Sequence, residues 1–197
     1  MILYDGCSYT YGDELENPEE ERFSSLIGGE HVNLGECGKS NDGITRTTIA
    51  YCEKNKIDTA VIQFTLYSRR EVMRHDRNKW DFISCQKENE MSNAFYQYLQ
   101  NNSDDLANFH KNKFILENYF KSKNIKYYFI NLQHKRRQLG WVPSVWYDLM
   151  DHTPLAEMRD ILGSGRLNPE NYVPPNWGHP SKKGHQLIAN HIYENIF

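Results

Sequence analysis

The chain has 197 residues, 39% of them hydrophobic and 25% charged, and a formal net charge of −3. That length suits one domain with a full core and is short for two, so residues 1–197 are expected to fold as a single unit. The near-neutral charge supplies no electrostatic drive toward nucleic acid or an anionic membrane, and no apolar run approaches the ~20 residues of a bilayer span.

In chain order, residues 2–4, 31–34, 59–65 and 125–131 are short, β-branched and aromatic runs followed by polar or glycine-containing stretches, the pattern of strands. Ala60-Val61-Ile62-Gln63-Phe64 and Tyr127-Tyr128-Phe129-Ile130 are apolar on both faces, which suits central parallel strands covered on each side. Helical stripes lie between and after them: Ile44, Thr48, Tyr51 and Cys52, then Leu106, Phe109, Leu116 and Phe120, and finally Ile188, Ile192 and Ile196. Alternating strands and helices predict an α/β sandwich around a parallel sheet. Two stretches break the pattern, 66–90, rich in charge, and 134–178, which holds three of the four tryptophans and five of the seven prolines. Both are expected to be insertions bordering a site.

The N-terminus shows no charged region, apolar stretch and small-residue cleavage site of the secretory kind. The four cysteines, Cys7, Cys37, Cys52 and Cys85, are scattered without C-x-x-C spacing. Reduced thiols in the cytoplasm and no zinc site are therefore expected.

Three loops carry the candidate chemistry. Gly6-Cys7-Ser8-Tyr9-Thr10-Tyr11-Gly12 follows the first strand, where the serine can be a plain helix cap or a nucleophile. The stretch from Asn33 to Asn41 follows the second. It contains Gly38-Lys39-Ser40 but has Asn33 where a Walker phosphate loop requires glycine, so nucleotide binding is disfavoured. Asn176-Trp177-Gly178-His179-Pro180-Ser181 leads into the last helix. Open parallel sheets place their crevice beyond the carboxyl ends of the strands. Ser8, His179 and free backbone N–H groups at that edge are the parts an acyl-transfer site needs.

These loops together resemble the SGNH (GDSL-like) hydrolases. Gly6 to Gly12 is similar to the nucleophile block G-D-S-x-T-x-G, Asn33 to Gly38 to the second block, and Asn176 to Gly184 to the final D-x-x-H-P block. The resemblance implies a three-layer α/β/α sandwich with a flavodoxin-like parallel sheet. It also implies a cofactor-free and metal-free serine hydrolase acting on an ester, a thioester or an acylated sugar.

In that reading Ser8 attacks, His179 is the base, and the N–H groups of Ser8 and Gly38 form the oxyanion hole. Cys7 stands where the family has aspartate. The G-x-N-D block is absent, which leaves Thr65 nearest the place of the oxyanion-hole asparagine. Asn176 stands in place of the triad aspartate, so the machinery is either a Ser-His-Asn triad or a Ser-His dyad backed by a carbonyl. Arg69, Arg70 and Trp177 are candidate substrate contacts, and the expected partner is a small-molecule or glycan ester. The altered blocks leave a second reading, a non-catalytic protein of this fold that binds a glycan, a nucleotide or a protein. The oligomeric state is not legible.

Overall fold

A computed structural model of the protein describes residues 1–74, 79–84, 89–132, 155–164, 168–174 and 178–197. The strands form where apolar and β-branched residues run consecutively: β1 (Ile2–Asp5), β2 (His31–Asn33) and β3 (Thr59–Phe64). A separate antiparallel hairpin follows, β4 (Arg70–Arg74) and β5 (Lys79–Ile83). β6 (Lys126–Asn131) and the two-residue β7 (Ala156–Glu157) complete the set.

The main sheet runs β2-β1-β3-β6-β7 with all pairs parallel. Numbered within that sheet, the order is the flavodoxin-like one, whose crevice opens where chain direction reverses beside the first strand. All six residues of β3 are buried, as both-face apolarity requires of a central strand.

Side-chain alternation along each strand divides the core in two. Leu3, Ala60, Ile62, Phe64 and Phe129 face one layer, and Tyr4, Val61 and Ile130 the other. The first layer is covered by α4 (Asn41–Cys52) and α6 (Asn102–Lys123) through Ile44, Phe109, Leu116 and Phe120. On the opposite face lie α3 (Phe23–Ile27), α7 (Met158–Leu162) and α8 (Lys182–Ile196), packed through Phe23, Met158, Ile188 and Ile192. Short helices α1 (Ser8–Tyr11), α2 (Pro18–Glu21) and α5 (Glu90–Ala94) fill the connections.

Helix ends follow local chemistry. Ser40, Asn101 and Ser181 cap α4, α6 and α8, each accepting a backbone N–H from its helix's first turn. Asn124 closes α6 in the left-handed region, φ 54°.

The 66–90 stretch, expected only as an insertion, contains the β4–β5 hairpin. Its charges pin it to the helices: Arg46 of α4 binds Glu71 at 2.5 and 2.9 Å, and Arg70 reaches Asp104 and Asp105 of α6 at 2.8 Å each. Among the described residues no helix is long and apolar enough to cross a membrane.

Candidate active site

The first loop is shaped by close packing. A Cβ on Gly6 would lie 2.1 Å from Thr10 Oγ1 and 2.8 Å from Gln63 Oε1, so only glycine fits where β1 gives way to α1. Gln63, at the end of the adjoining β3, accepts from Cys7 N (3.2 Å), Cys7 Sγ (3.3 Å) and Thr10 Oγ1 (3.1 Å). It is a supporting residue that sequence reasoning missed, although one amide inside an apolar central strand was a signal. Ser8 therefore begins α1 on a braced turn and is almost fully buried. Gly12, at φ 89°, ends the helix and donates its N–H to Ser8 O.

The second loop is lashed to the first. Asn33 Nδ2 donates to Thr10 O at 2.7 Å, and Glu36 N to Gly6 O at 3.2 Å. Lys39 of the Gly-Lys-Ser run is 1% exposed and donates to Asp5 Oδ1 at 2.6 Å and Leu34 O at 2.7 Å. It is an internal strut, and its ammonium is turned away from solvent. Asp5 also accepts from Gly6 N, Thr47 and Thr48. Burial pushes its carboxyl above the ordinary aspartate range, against the opposing pull of Lys39 and the two hydroxyls.

Gly38 has φ 80°, with open space on its Cβ side. Thr65, just past β3, is fully buried. It donates its N–H to Asn41 Oδ1 at 2.9 Å, and its Oγ1 accepts from Arg69 at 2.8 Å, leaving the hydroxyl proton to donate elsewhere.

His179 arrives on the segment before α8. Its backbone O accepts from Val173 N at 3.0 Å, Ser181 N donates to Asn171 O at 2.9 Å, and Tyr172 bridges Pro180. These contacts bring His179 Nε2 to 2.9 Å from Ser8 Oγ. Tyr9 packs edge-on against the imidazole, ring centres 5.6 Å apart, and donates its hydroxyl to Gly178 O at 2.6 Å. Burial raises the Tyr9 phenol far above its ordinary value, so it remains a donor.

Two carboxylates border the ring. Glu14 Oε2 is 3.2 Å from Nδ1, and Asp13 Oδ2 is 3.7 Å from Nε2. The next histidine, His185, is structural: its Nδ1 accepts from Phe23 N at 3.2 Å, its ring stacks on Phe23, and burial pushes it down to about 4.

Beside Tyr9 opens a cavity of about 290 Å³ lined by Leu132, Met158, Arg159 and Tyr172 among others. Arg69 is buried and directed at Thr65, while Arg70 is held by two aspartates. Asn176, Trp177, Trp141, Trp146 and Cys85 lie outside the described residues. Cys7, Cys37 and Cys52 are free thiols, Cys7 buried and Cys37 exposed. Among the described residues no cluster of His, Cys, Asp or Glu could hold a metal ion.

No protein-family model and no curated protein matches the chain. Solved structures do. The esterase EstA from a Pseudoalteromonas species, described as psychrotrophic, is 15% identical, with 99% of this chain and 95% of that one aligned at a TM-score of 0.58. A protein assigned to the G-D-S-L lipolytic family, from Desulfitobacterium hafniense, is 13% identical over 98% of each chain, TM-score 0.60. A two-domain esterase active on acetylated mannans is 14% identical, with 98% of this chain and 47% of that one aligned, TM-score 0.57. The fold is that of the SGNH (GDSL-like) hydrolases.

Proposed function

We propose that this chain is a serine hydrolase of carboxylic esters, with Ser8 as nucleophile and His179 as general base. The carrying observation is the 2.9 Å separation of Ser8 Oγ and His179 Nε2, two residues 171 apart in the chain. A hydroxyl beside an imidazole nitrogen, at the carboxyl edge of a parallel sheet, is the arrangement acyl transfer uses. The esterases that share the fold support the same class of reaction.

In the first half-reaction Ser8 Oγ bonds to the carbonyl carbon and its proton moves to Nε2. The oxyanion is held by the N–H groups of Ser8 and Gly38, with the Thr65 hydroxyl as third donor; such a donor is typically worth ~3 kcal/mol of barrier. Collapse expels the alcohol, which takes the proton from His179, and water then cleaves the acyl-enzyme with the same base. The reading also needs an acceptor on the far side of the imidazole, a place for which the family resemblance offers Asn176 or a backbone carbonyl. The cavity beside Tyr9 has the size for a short acyl group or a sugar ring, so thioesters and acylated sugars belong on the substrate panel with simple esters.

A fluorophosphonate probe is expected to label wild type and not Ser8→Ala, and His179→Ala should lose ~10³-fold or more in turnover of nitrophenyl esters. An unlabelled wild type, or equal labelling of both proteins, would remove the nucleophile assignment.

A further inference from the structure

The third member of the machinery is open in the sequence, because Asn176 carries no charge. The structure supplies a carboxylate from a different loop. Glu14 follows Ser8 on the turn that closes α1, and its Oε2 lies 3.2 Å from His179 Nδ1. Its backbone sits at φ 66°, in the left-handed region that residues bearing a Cβ rarely adopt. Together with Gly12 at φ 89°, this conformation turns the chain back toward the imidazole. Uncommon backbone states that persist in a braced loop tend to mark functional positions.

Nδ1 is buried and has no in-line hydrogen bond among the described residues, because the Glu14 oxygen stands off the N–H axis. The Glu14 carboxylate is 39% exposed, which leaves it room to turn into line. Resting enzymes often hold such contacts loosely and tighten them when the substrate is bound.

We propose that Glu14 is the positioning residue for His179, replacing the uncharged Asn176 as the group behind the imidazole. The inference rests on the serine-esterase reading above. Accepting a hydrogen bond from Nδ1–H selects the tautomer whose Nε2 lone pair faces Ser8. When the Ser8 proton moves to Nε2, the ring becomes a cation, and the Glu14 carboxylate offsets that charge where an asparagine cannot. Nucleophile and orienting acid then share one turn, and only the base comes from the far end of the chain.

The charged and titratable groups facing His179 are Glu14 at Nδ1, Asp13 near Nε2, Tyr9 from α1, and His185 farther along α8, which burial holds neutral. Lys182 and Lys183, on its own segment, are paired with Glu21 and Glu170.

The test uses the full chain with labelled histidine, following the His179 Nδ1 proton resonance by NMR alongside hydrolysis of p-nitrophenyl acetate. Glu14→Gln is expected to weaken the Nδ1–H hydrogen bond, moving the Nδ1 proton resonance upfield, and to lower kcat by ~10²-fold, with KM nearly unchanged. Glu14→Asp should recover part of both. Glu16→Gln, an exposed charge nearby, should alter neither.

A Glu14→Gln protein that keeps both its Nδ1 proton resonance and its kcat overturns the proposal. So does a change in one without the other, which would make the carboxylate a bystander or its loss a folding effect. Loss of both in Asp13→Asn but not in Glu14→Gln would also overturn it. Failure of wild type to react with a fluorophosphonate is the separate result that removes the esterase reading itself, whereas the NMR shift reads the Glu14–His179 coupling without any substrate.

Discussion

At the scale of single residues, the site depends on places where nothing larger than hydrogen fits. A Cβ on Gly35 would lie 2.6 Å from Tyr11 N and 2.9 Å from Thr10 C, both backbone atoms that no rotamer change can move. Gly35→Ala is therefore expected to cost ~2–3 kcal/mol and to separate the first two loops, read as a lowered Tm together with lost ester turnover. Gly178, next to His179, has none of the described residues within 4 Å of its Cβ position, so Gly178→Ala should stay within ~0.5 kcal/mol of wild type in the same melt. Both glycines stand in motif-bearing loops in the sequence. Which of them is sterically required depends on a neighbour far along the chain, and spacing alone does not reveal it.

At the scale of elements, the Lys39–Asp5 pair joins the end of β1, the second loop and α4. With side chains 1% and 0% exposed, the two charges have been taken out of water together. Lys39→Met leaves Asp5 buried with hydroxyl and N–H donors but no cation. Removing one partner of such a pair typically costs ~3–5 kcal/mol, measurable as a fall in the urea midpoint. Asp5→Asn combined with Lys39→Met should recover much of that loss, because no unpaired charge remains. The Gly38-Lys39-Ser40 run looked in the sequence like the end of a phosphate loop and failed on spacing. The structure adds the physical reason that its lysine serves elsewhere: the ammonium is occupied by Asp5 and Leu34 O. The hairpin at 70–83 was not legible, because its alternation is obscured by charges that turn out to bind α4 and α6 and not solvent.

At the scale of the whole molecule, two buried histidines link folding to pH. Burial holds His110 and His185 down to about 4, against the ordinary value of 6.5. Between those values the unfolded chain binds protons that the folded chain refuses, so stability is complete above about pH 6.5 and is lost progressively as pH falls toward 4. His185, fully buried, should account for about 2 kcal/mol of loss between pH 7.5 and pH 5. Urea titrations at the two pH values check this, and His185→Gln should flatten the dependence. Any loss of ester turnover at low pH would therefore include a contribution from unfolding. Following turnover and far-UV signal in the same samples isolates that contribution.

The sequence by itself determined the layers. Apolar runs on both faces specify β3 and β6 as interior strands, three stripes specify the covering helices, and loop chemistry after β1 and β2 marks the edge where a site would lie. These are local properties, written in spacings of two and of three to four residues. Only the tertiary structure decided that Ser8 and His179 meet, that Gln63 braces the first turn, that Lys39 is a strut, and that a carboxylate from Glu14 stands behind the imidazole. Each of those contacts closes across strands or chain ends, where distance is set by sheet order and not by spacing. The opening counts of length and charge bounded a fold, and its closure assembled the candidate site.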